Sequence, residues 1–408
     1  MKPVNVAIIG AGARSIAFCN YIAENPKQAA LKVLVDLNIE KAEVLNERYK
    51  LGAKVQDSFY ELMVRDDIDA VMVSTPDYAH VAPACAALKA QKHVYLEKPL
   101  ATTIEDCDKI ISAATSSKST CYLGFNMRHS PVYERIHQLV VDGTLGKITT
   151  IESNEWYYGG KTYFRRGNRL TKFSGGLWIT KACHDFDMLT WISGGMPKSV
   201  YACSDLSHYN PIKGAGPRCR DCVLKESCLD FYDINKPIDH WFDEMWRLIQ
   251  LKMAQTDTMS PDICLFNSDK DTFDNGMAIV EYDNGVRACY TVNILAARTT
   301  RQMRIVGTLA MLEADVEIGT IVLTHRHSGE TISYNLSDKL KSTHGGSDQS
   351  ILTDFFNICR KGGKPRSSVG DGRLAVQIAI AARQSCNIGA RVQINPSCDK
   401  TIPEHCLA

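Results

Sequence analysis

The chain has 408 residues, more than one hydrophobic core usually fills, so two domains are expected. It is 45% hydrophobic and 23% charged with a formal net charge of +1, which gives no electrostatic case for nucleic acid or an anionic membrane as a partner. No apolar run approaches membrane-spanning length, and Met1-Lys2-Pro3 leads straight into a strand, so a cytoplasmic protein without signal peptide or membrane segment is expected.

Strand and helix signals alternate through residues 1–125. Val4 to Ile9 is a continuous apolar run, Gly10-Ala11-Gly12-Ala13-Arg14-Ser15 follows, and an apolar-periodic stretch with Ile16, Phe18 and Ile22 comes next. Leu31 to Val35, Ala70 to Val73 and His93 to Leu96 read as further buried strands. Helices are expected over Ile39 to Tyr49, about His80 to Ala90, and after a Thr102/Glu105 capping box. This order predicts a doubly wound parallel sheet of Rossmann type.

The glycine turn matches a dinucleotide fingerprint at Gly10 and Gly12 and carries Ser15 where a third glycine is usual. Gly10 permits the tight turn, and Gly12, with Ala13, lets a pyrophosphate approach the helix N-terminus. Asp36 closes the second strand, where a carboxylate accepts hydrogen bonds from ribose hydroxyls and repels a ribose phosphate, favouring NAD over NADP. Arg14 complicates that preference, because a basic residue in the loop can pair with a phosphate. Ser74-Thr75-Pro76-Asp77-Tyr78-Ala79-His80 and Glu97-Lys98-Pro99 both end strands on the carboxyl edge, where open parallel sheets bind ligands. The first also reads as a Pro-Asp turn before a helix.

Together with Gly124-Phe125-Asn126-Met127-Arg128, these segments resemble the Gfo/Idh/MocA oxidoreductases. The resemblance implies that the loop Ser74, Thr75 and Pro76, with Glu97, Lys98 and Asn126, lines the nicotinamide end of a bound NAD, and that Lys98 reaches the substrate as well. His80 is a further cofactor-binding candidate.

From Ile148 onwards polar and apolar residues alternate, predicting an α+β domain over 126–408 with a large, mainly antiparallel sheet. One face is expected to be packed and the other to face the cofactor domain; the resemblance implies oligomer contacts on the outer face, hence a homo-oligomer, dimer or tetramer. Within Gly175 to Leu189, read as a helix, Lys181, His184, Asp185 and Met188 share one side. Charge repulsion from Lys181 would keep the His184 imidazole neutral and able to accept a proton. The resemblance makes His184 the catalytic histidine. Thr180 stands where many relatives carry an aspartate, and this Lys-x-x-His-Asp variant makes Lys181 a candidate contact for a substrate hydroxyl or carboxylate. Arg128, Tyr157, Asp185 and His344, in a Gly-Gly loop, are further substrate-binding candidates, and Arg165, Arg166 and Arg169 can supply donors.

Most of the fifteen cysteines lie singly in apolar segments and read as buried thiols. An insertion at about 205–240 carries Cys219-x2-Cys222-x5-Cys228. A structural zinc is possible there with a fourth ligand from Cys203, Cys264, His208 or His240; reduced thiols, a local disulfide and an iron–sulfur cluster are the alternatives. The helix from about Gly372 to Asn387 is expected along the domain junction. The expected function is NAD-dependent oxidation or reduction of a secondary hydroxyl or ketone of a sugar, glycoside or cyclitol. The alternative is an NAD-dependent glycosidase that oxidises its substrate transiently.

Overall fold

The computed structural model of the chain describes residues 2–158, 163–253, 260–340 and 343–394. Among them, the strands form two sheets. The first is built from β1 (Val4–Ile9), α1 (Ala13–Glu24), β2 (Ala29–Val35), α2 (Ile39–Tyr49), β3 (Lys54–Gln56), β4 (Ala70–Val73), α3 (Val81–Lys89), β5 (His93–Leu96), α4 (Ile104–Thr115) and β6 (Cys121–Leu123). Its order is β3-β2-β1-β4-β5-β6, with every pairing parallel. The chain order reverses between β1 and β4, so both loops that leave these strands open onto one crevice at the carboxyl edge. The start of α4 differs from expectation by one residue: Thr103, not Thr102, is the N-cap and accepts from the Asp106 amide at 3.2 Å.

The second unit runs through α5 (Pro131–Val141), β7 (Ile148–Tyr158), α6 (Thr171–Ser174), α7 (Leu177–Thr180), α8 (Cys183–Ser193), β8 (Pro197–Asp205) and α9 (Trp241–Met253). It continues with β9 (Asn275–Tyr282), β10 (Arg287–Asn293), β11 (Leu295–Gly307), β12 (Ala310–Asp315), β13 (Thr320–His325), β14 (Thr331–Asn335), α10 (Ser347–Lys361), α11 (Val369–Ile388) and β15 (Val392–Gln393). The sheet order is β14-β13-β12-β11-β7-β10-β9-β8-β15, antiparallel except where β10 runs parallel to β7. Along β7, Ile151, Ser153 and Glu155 point inward and are buried, while Glu152 and Trp156 point outward. Packing and cavity lining therefore share one face. The other does not face the cofactor domain, as expected, but is exposed and carries Tyr201, Met277 and Ile279.

Two helices of the second unit complete the first. Ile351, Leu352, Phe355 and Phe356 of α10 are buried in one apolar cluster with Ile8, Phe18, Tyr95 and Tyr122, covering the parallel sheet beside α1. α11 crosses the junction, and an added Cβ at its Gly372 would lie 2.4 Å from Leu123 Cδ2 and 2.9 Å from Leu100 Cβ. α10 begins at Ser347, with Gly346 as its N-cap in the left-handed conformation.

Candidate active site

The turn from β1 into α1 is fixed by contact. Gly10 has φ +101°, and a Cβ there would sit 2.6 Å from the Ser74 carbonyl oxygen. Ser15, at the third fingerprint position, is fully buried; its hydroxyl reaches the Gly10 carbonyl and lies 2.7 Å from Ser74 Oγ, tying the turn to the loop after β4. Gly12 caps α1 with no side-chain partner, so the first amides of the helix are left for a ligand. Asp36 accepts from the Ala11 amide at 2.7 Å and the Asn38 amide at 2.9 Å, and pairs with Lys41 Nζ at 3.0 Å. Lys41 was not among the expected site residues; its signal in the sequence is a cation five residues beyond Asp36, on the first turn of the next helix.

These groups border a cavity of about 390 Å³ that runs past Thr75, Pro76 and His80 to Lys98. Within it Thr75 Oγ1 and Asp77 Oδ2 are buried and make no hydrogen bond with the protein. Open helix amides, a carboxylate at the end of β2 and inward-facing polar atoms fit a bound dinucleotide. His80, 1% exposed, joins the two strand-end loops, with Nδ1 2.8 Å from the Pro99 carbonyl oxygen and Nε2 3.2 Å from that of Thr75.

Arg14 is not held for a phosphate. Its guanidinium pairs with Glu97 at 2.8 Å and Asp348 at 2.8 Å; burial opposes its charge, but the two carboxylates outweigh burial and hold it cationic. Asp348, on the first turn of α10, also accepts from Asn126 Nδ2 at 2.7 Å, leaving the buried Asn126 Oδ1 without a protein hydrogen bond. Nothing in the local pattern marked Asp348, because its partners lie more than 200 residues away.

A second cavity, of about 590 Å³, adjoins the first and shares Arg14, Glu97 and Lys98 with it. His184, on the first turn of α8, lines this second cavity, its ring 5.8 Å from that of Phe125. Lys181 and Tyr157 line it too, as do Tyr133, Glu155 and Arg301, which were not among the expected site residues. Extending the alternation of β7 past Ser153 would have found Glu155.

The expected single helix over 175–189 is broken. Gly175 and Gly176 are both left-handed, α7 ends at Thr180, and α8 starts at Cys183. Lys181, at the C-cap of α7, pairs with Glu155 at 2.6 Å and lies 4.3 Å over the Tyr157 ring, and it borders the same cavity as His184. Burial opposes its charge, yet the neighbouring tyrosines, Asp185 and Glu317 keep it cationic. Glu155 also pairs with Arg301, so the two cations share one carboxylate.

Two substrate candidates lie outside the cavity wall. Arg128 is 2% exposed and locked between Asp187 at 2.6 Å and Asp371 at 3.1 Å, a buried ion cluster rather than a substrate contact. Asp185 sits beneath the floor, accepting from Tyr290 Oη at 2.8 Å, and burial pushes its carboxyl up to about 6. Arg165, which borders the first cavity, is tied to the Asp230 carbonyl and Arg169 to Asp269, and Arg166 lines both cavities. The backbone of His344 lies in a helical turn, Thr343–Gly346, and its side chain lies outside the described residues. Cys219, Cys222 and Cys228 are free thiols: Cys219 meets Arg165 at 3.7 Å and Cys222 accepts from the Gly216 amide at 3.3 Å. Among the described residues no three His, Cys, Asp or Glu side chains converge on a metal position, so the zinc considered for this loop finds no support.

α9 closes the assembly from above. Met245 and Ile249 are buried against the first unit, Phe242 and Asp243 border the second cavity, and Trp246 and Gln250 border the first.

Two family models match the chain: the oxidoreductase family NAD-binding Rossmann fold over residues 4–125, and the family's C-terminal alpha/beta domain over 137–394. The chain belongs to the Gfo/Idh/MocA oxidoreductase family. Among its relatives, the oxidoreductase YteT of Bacillus subtilis (strain 168) is 28% identical over 359 residues, 79% of this chain and 81% of that protein. The myo-inositol 2-dehydrogenase of Thermotoga maritima is 30% identical over 184 residues, 44% of this chain and 53% of that one. In fold the chain is similar to a levoglucosan dehydrogenase solved with NADH and levoglucosan, with TM-score 0.74, 19% identity, and coverage of 97% and 100%.

Proposed function

We propose that this family member oxidises a secondary hydroxyl of a sugar, glycoside or cyclitol, or reduces the matching ketone, with NAD preferred over NADP. The observation that carries the reading is that Lys98 and His184, from different units, border one cavity that opens onto the dinucleotide cleft. The α1 amides and Asp36 would hold the pyrophosphate and ribose, and Thr75, Pro76, Glu97 and Asn126 the nicotinamide end. When bound, the dinucleotide supplies the hydride acceptor, or the donor in the reverse direction. His184 takes the proton of the reacting hydroxyl, and Lys98 donates a hydrogen bond to the same oxygen as its charge develops. Lys181, Tyr157 and Arg301 are suited to the remaining hydroxyls, and α9 limits the access of water. The relatives named for inositol and levoglucosan dehydrogenases agree with a polyhydroxylated ring as substrate.

The test is a panel of sugars, glycosides and cyclitols with NAD, followed by NADH absorbance. NADH accumulation on any of them supports the dehydrogenase. A second reading is favoured by the cover that α9 places over the cofactor cleft: a retained coenzyme suits a redox-neutral glycosidase, with Tyr157 or His344 as the second base. Release of the aglycone without net NADH would select it. We also propose a homo-oligomer formed through the exposed sheet face around Tyr201, Met277 and Ile279; a chain that sediments as a monomer at micromolar concentration would contradict it.

A further inference from the structure

Asn126 opens the helical turn Asn126–His129 that follows β6, the strand paired with β5. The approach of the two strand ends is close: an added Cβ at Gly124 would lie 3.3 Å from Glu97 Cα. Asn126 is 3% exposed, and its Nδ2 donates to Asp348 Oδ1 at 2.7 Å. Asp348, 2% exposed, also receives both arms of the Arg14 guanidinium, Nη2 on Oδ1 at 2.8 Å and Nη1 on Oδ2 at 3.2 Å. An aspartate gripped in this way is ionised, so it accepts hydrogen bonds and has no proton to give. Only the NH2 side of the Asn126 amide can face it, and the orientation of that amide is settled by chemistry.

The amide oxygen is thereby turned the other way. Asn126 Oδ1 is buried and has no hydrogen-bond donor among the described residues, a costly state for an acceptor. Asp348 lies behind the wall, where it borders a separate cavity with Tyr21 and Trp241. Asn126 instead borders the second cavity, together with Arg14, Glu97 and Lys98, which the dinucleotide cleft shares. Glu97 beside it is already engaged, Oε1 by Arg14 Nε at 2.8 Å and Oε2 by the Lys98 amide at 3.3 Å. Asn126 Oδ1 is therefore an open acceptor on the sheet edge, placed where the nicotinamide end of the coenzyme would emerge. The carboxamide of that ring carries an NH2 group that needs an acceptor.

We propose that Asp348 is a positioning residue that acts through Asn126: by holding Nδ2 it presents Oδ1 as the acceptor for the carboxamide NH2 of the coenzyme. Arg14 ties this lock to the first turn of α1, so α10 of the second unit and the glycine turn of the first fix the nicotinamide together. The inference deepens the reading of the cleft as an NAD site and rests on it.

The test compares two reduced coenzymes on the full-length protein by calorimetric titration, which needs no substrate. One is NADH; the other is its analogue with an acetyl group in place of the carboxamide, which keeps the carbonyl and lacks the NH2. The unmodified protein is expected to bind NADH about 10-fold tighter than the analogue, the scale of one hydrogen bond. In Asp348→Asn the new amide donates to Asn126 Oδ1, the Asn126 side chain turns over, and its NH2 meets the carboxamide NH2; the preference for NADH is lost. A merely structural role would weaken both coenzymes alike, and an unchanged ratio in Asp348→Asn would overturn the proposal. Asn126→Ala should lose the same preference, and adding Asp348→Asn to it should change the ratio no further; a further change would show that Asp348 acts by another route. Should Asp348→Asn fail to fold, Asp348→Glu keeps the acceptor and is expected to keep the preference, and its loss there counts against the role. A protein that binds neither coenzyme would sink the reading of the cleft and this inference with it. If both bind and no sugar or cyclitol is turned over, the dehydrogenase reading fails while the ratio still decides the role of Asp348.

Discussion

Lys98 and His184 approach the reacting oxygen from different units, so each can be removed without dismantling the other's support. His184 borders the second cavity and not the one along Gly12 and Asp36, where the pyrophosphate and ribose would bind. His184→Ala should therefore reduce turnover about 10²- to 10⁴-fold while NADH still titrates normally by fluorescence. Retention of near-normal turnover would remove it as the base. Asp36 is a different case, because it already carries the Ala11 amide, the Asn38 amide and Lys41. Loss of its carboxylate takes away the ribose acceptor and leaves Lys41 uncompensated beside it. Asp36→Ala should weaken NAD about 10-fold, the scale of one lost charge-assisted hydrogen bond, and should weaken NADP less or strengthen it. Equal losses for the two coenzymes in calorimetric titrations would count against the ribose role.

At the scale of elements, α9 does the most that its own sequence does not announce. It arises from the long connection between β8 and β9, yet Met245 and Ile249 are buried in the core of the parallel-sheet unit, and Trp246 borders the coenzyme cavity beneath Arg166, 4.7 Å from its ring. Trp246→Ala removes that wall but no core residue. It should speed NADH release about 10-fold in stopped-flow displacement, the scale of one large aromatic contact, with a small change in melting temperature. An unchanged release rate would show that α9 does not retain the coenzyme. α8 carries the other lesson at this scale. Its residues were legible as helix, but the break at Lys181 was not, since it depends on Glu155 waiting on β7 and on two left-handed glycines before α7.

For the whole molecule, the contact between the units is polar as well as apolar, and it titrates. His129 is buried between Tyr122 Oη at 2.8 Å and Ser350 Oγ at 3.3 Å, and burial lowers its pKa from 6.5 to about 3. His137, stacked on Trp191, is lowered to about 4 for the same reason. The native state keeps both neutral and the unfolded chain protonates them, so their contribution is present above 6.5 and is lost progressively as pH falls towards those lowered values. Asp185 and Asp187, both raised to about 6 by burial, act with the opposite sign, contributing below 3.8 and losing that contribution as pH rises through about 6. The test must therefore be differential: between about pH 7 and pH 5, His129→Gln should lose less stability in urea than the unmodified chain. An identical pH dependence would remove His129 from the account. The sequence by itself determined the parallel strands and the segments at their carboxyl ends, because a buried strand is a local apolar run and the groups on a sheet edge follow from where each run stops. On that basis Gly10, Asp36 and Lys98 were read as sheet-edge groups, and the three border one cavity. Only the tertiary structure decided what each charge faces. Arg14 turned to Glu97 and Asp348, Arg128 to Asp187 and Asp371, and Lys181 to Glu155. These partners are brought together by sheet register and helix packing, and a buried charge selects whichever opposite charge the fold brings within reach, a relation that local periodicity does not encode.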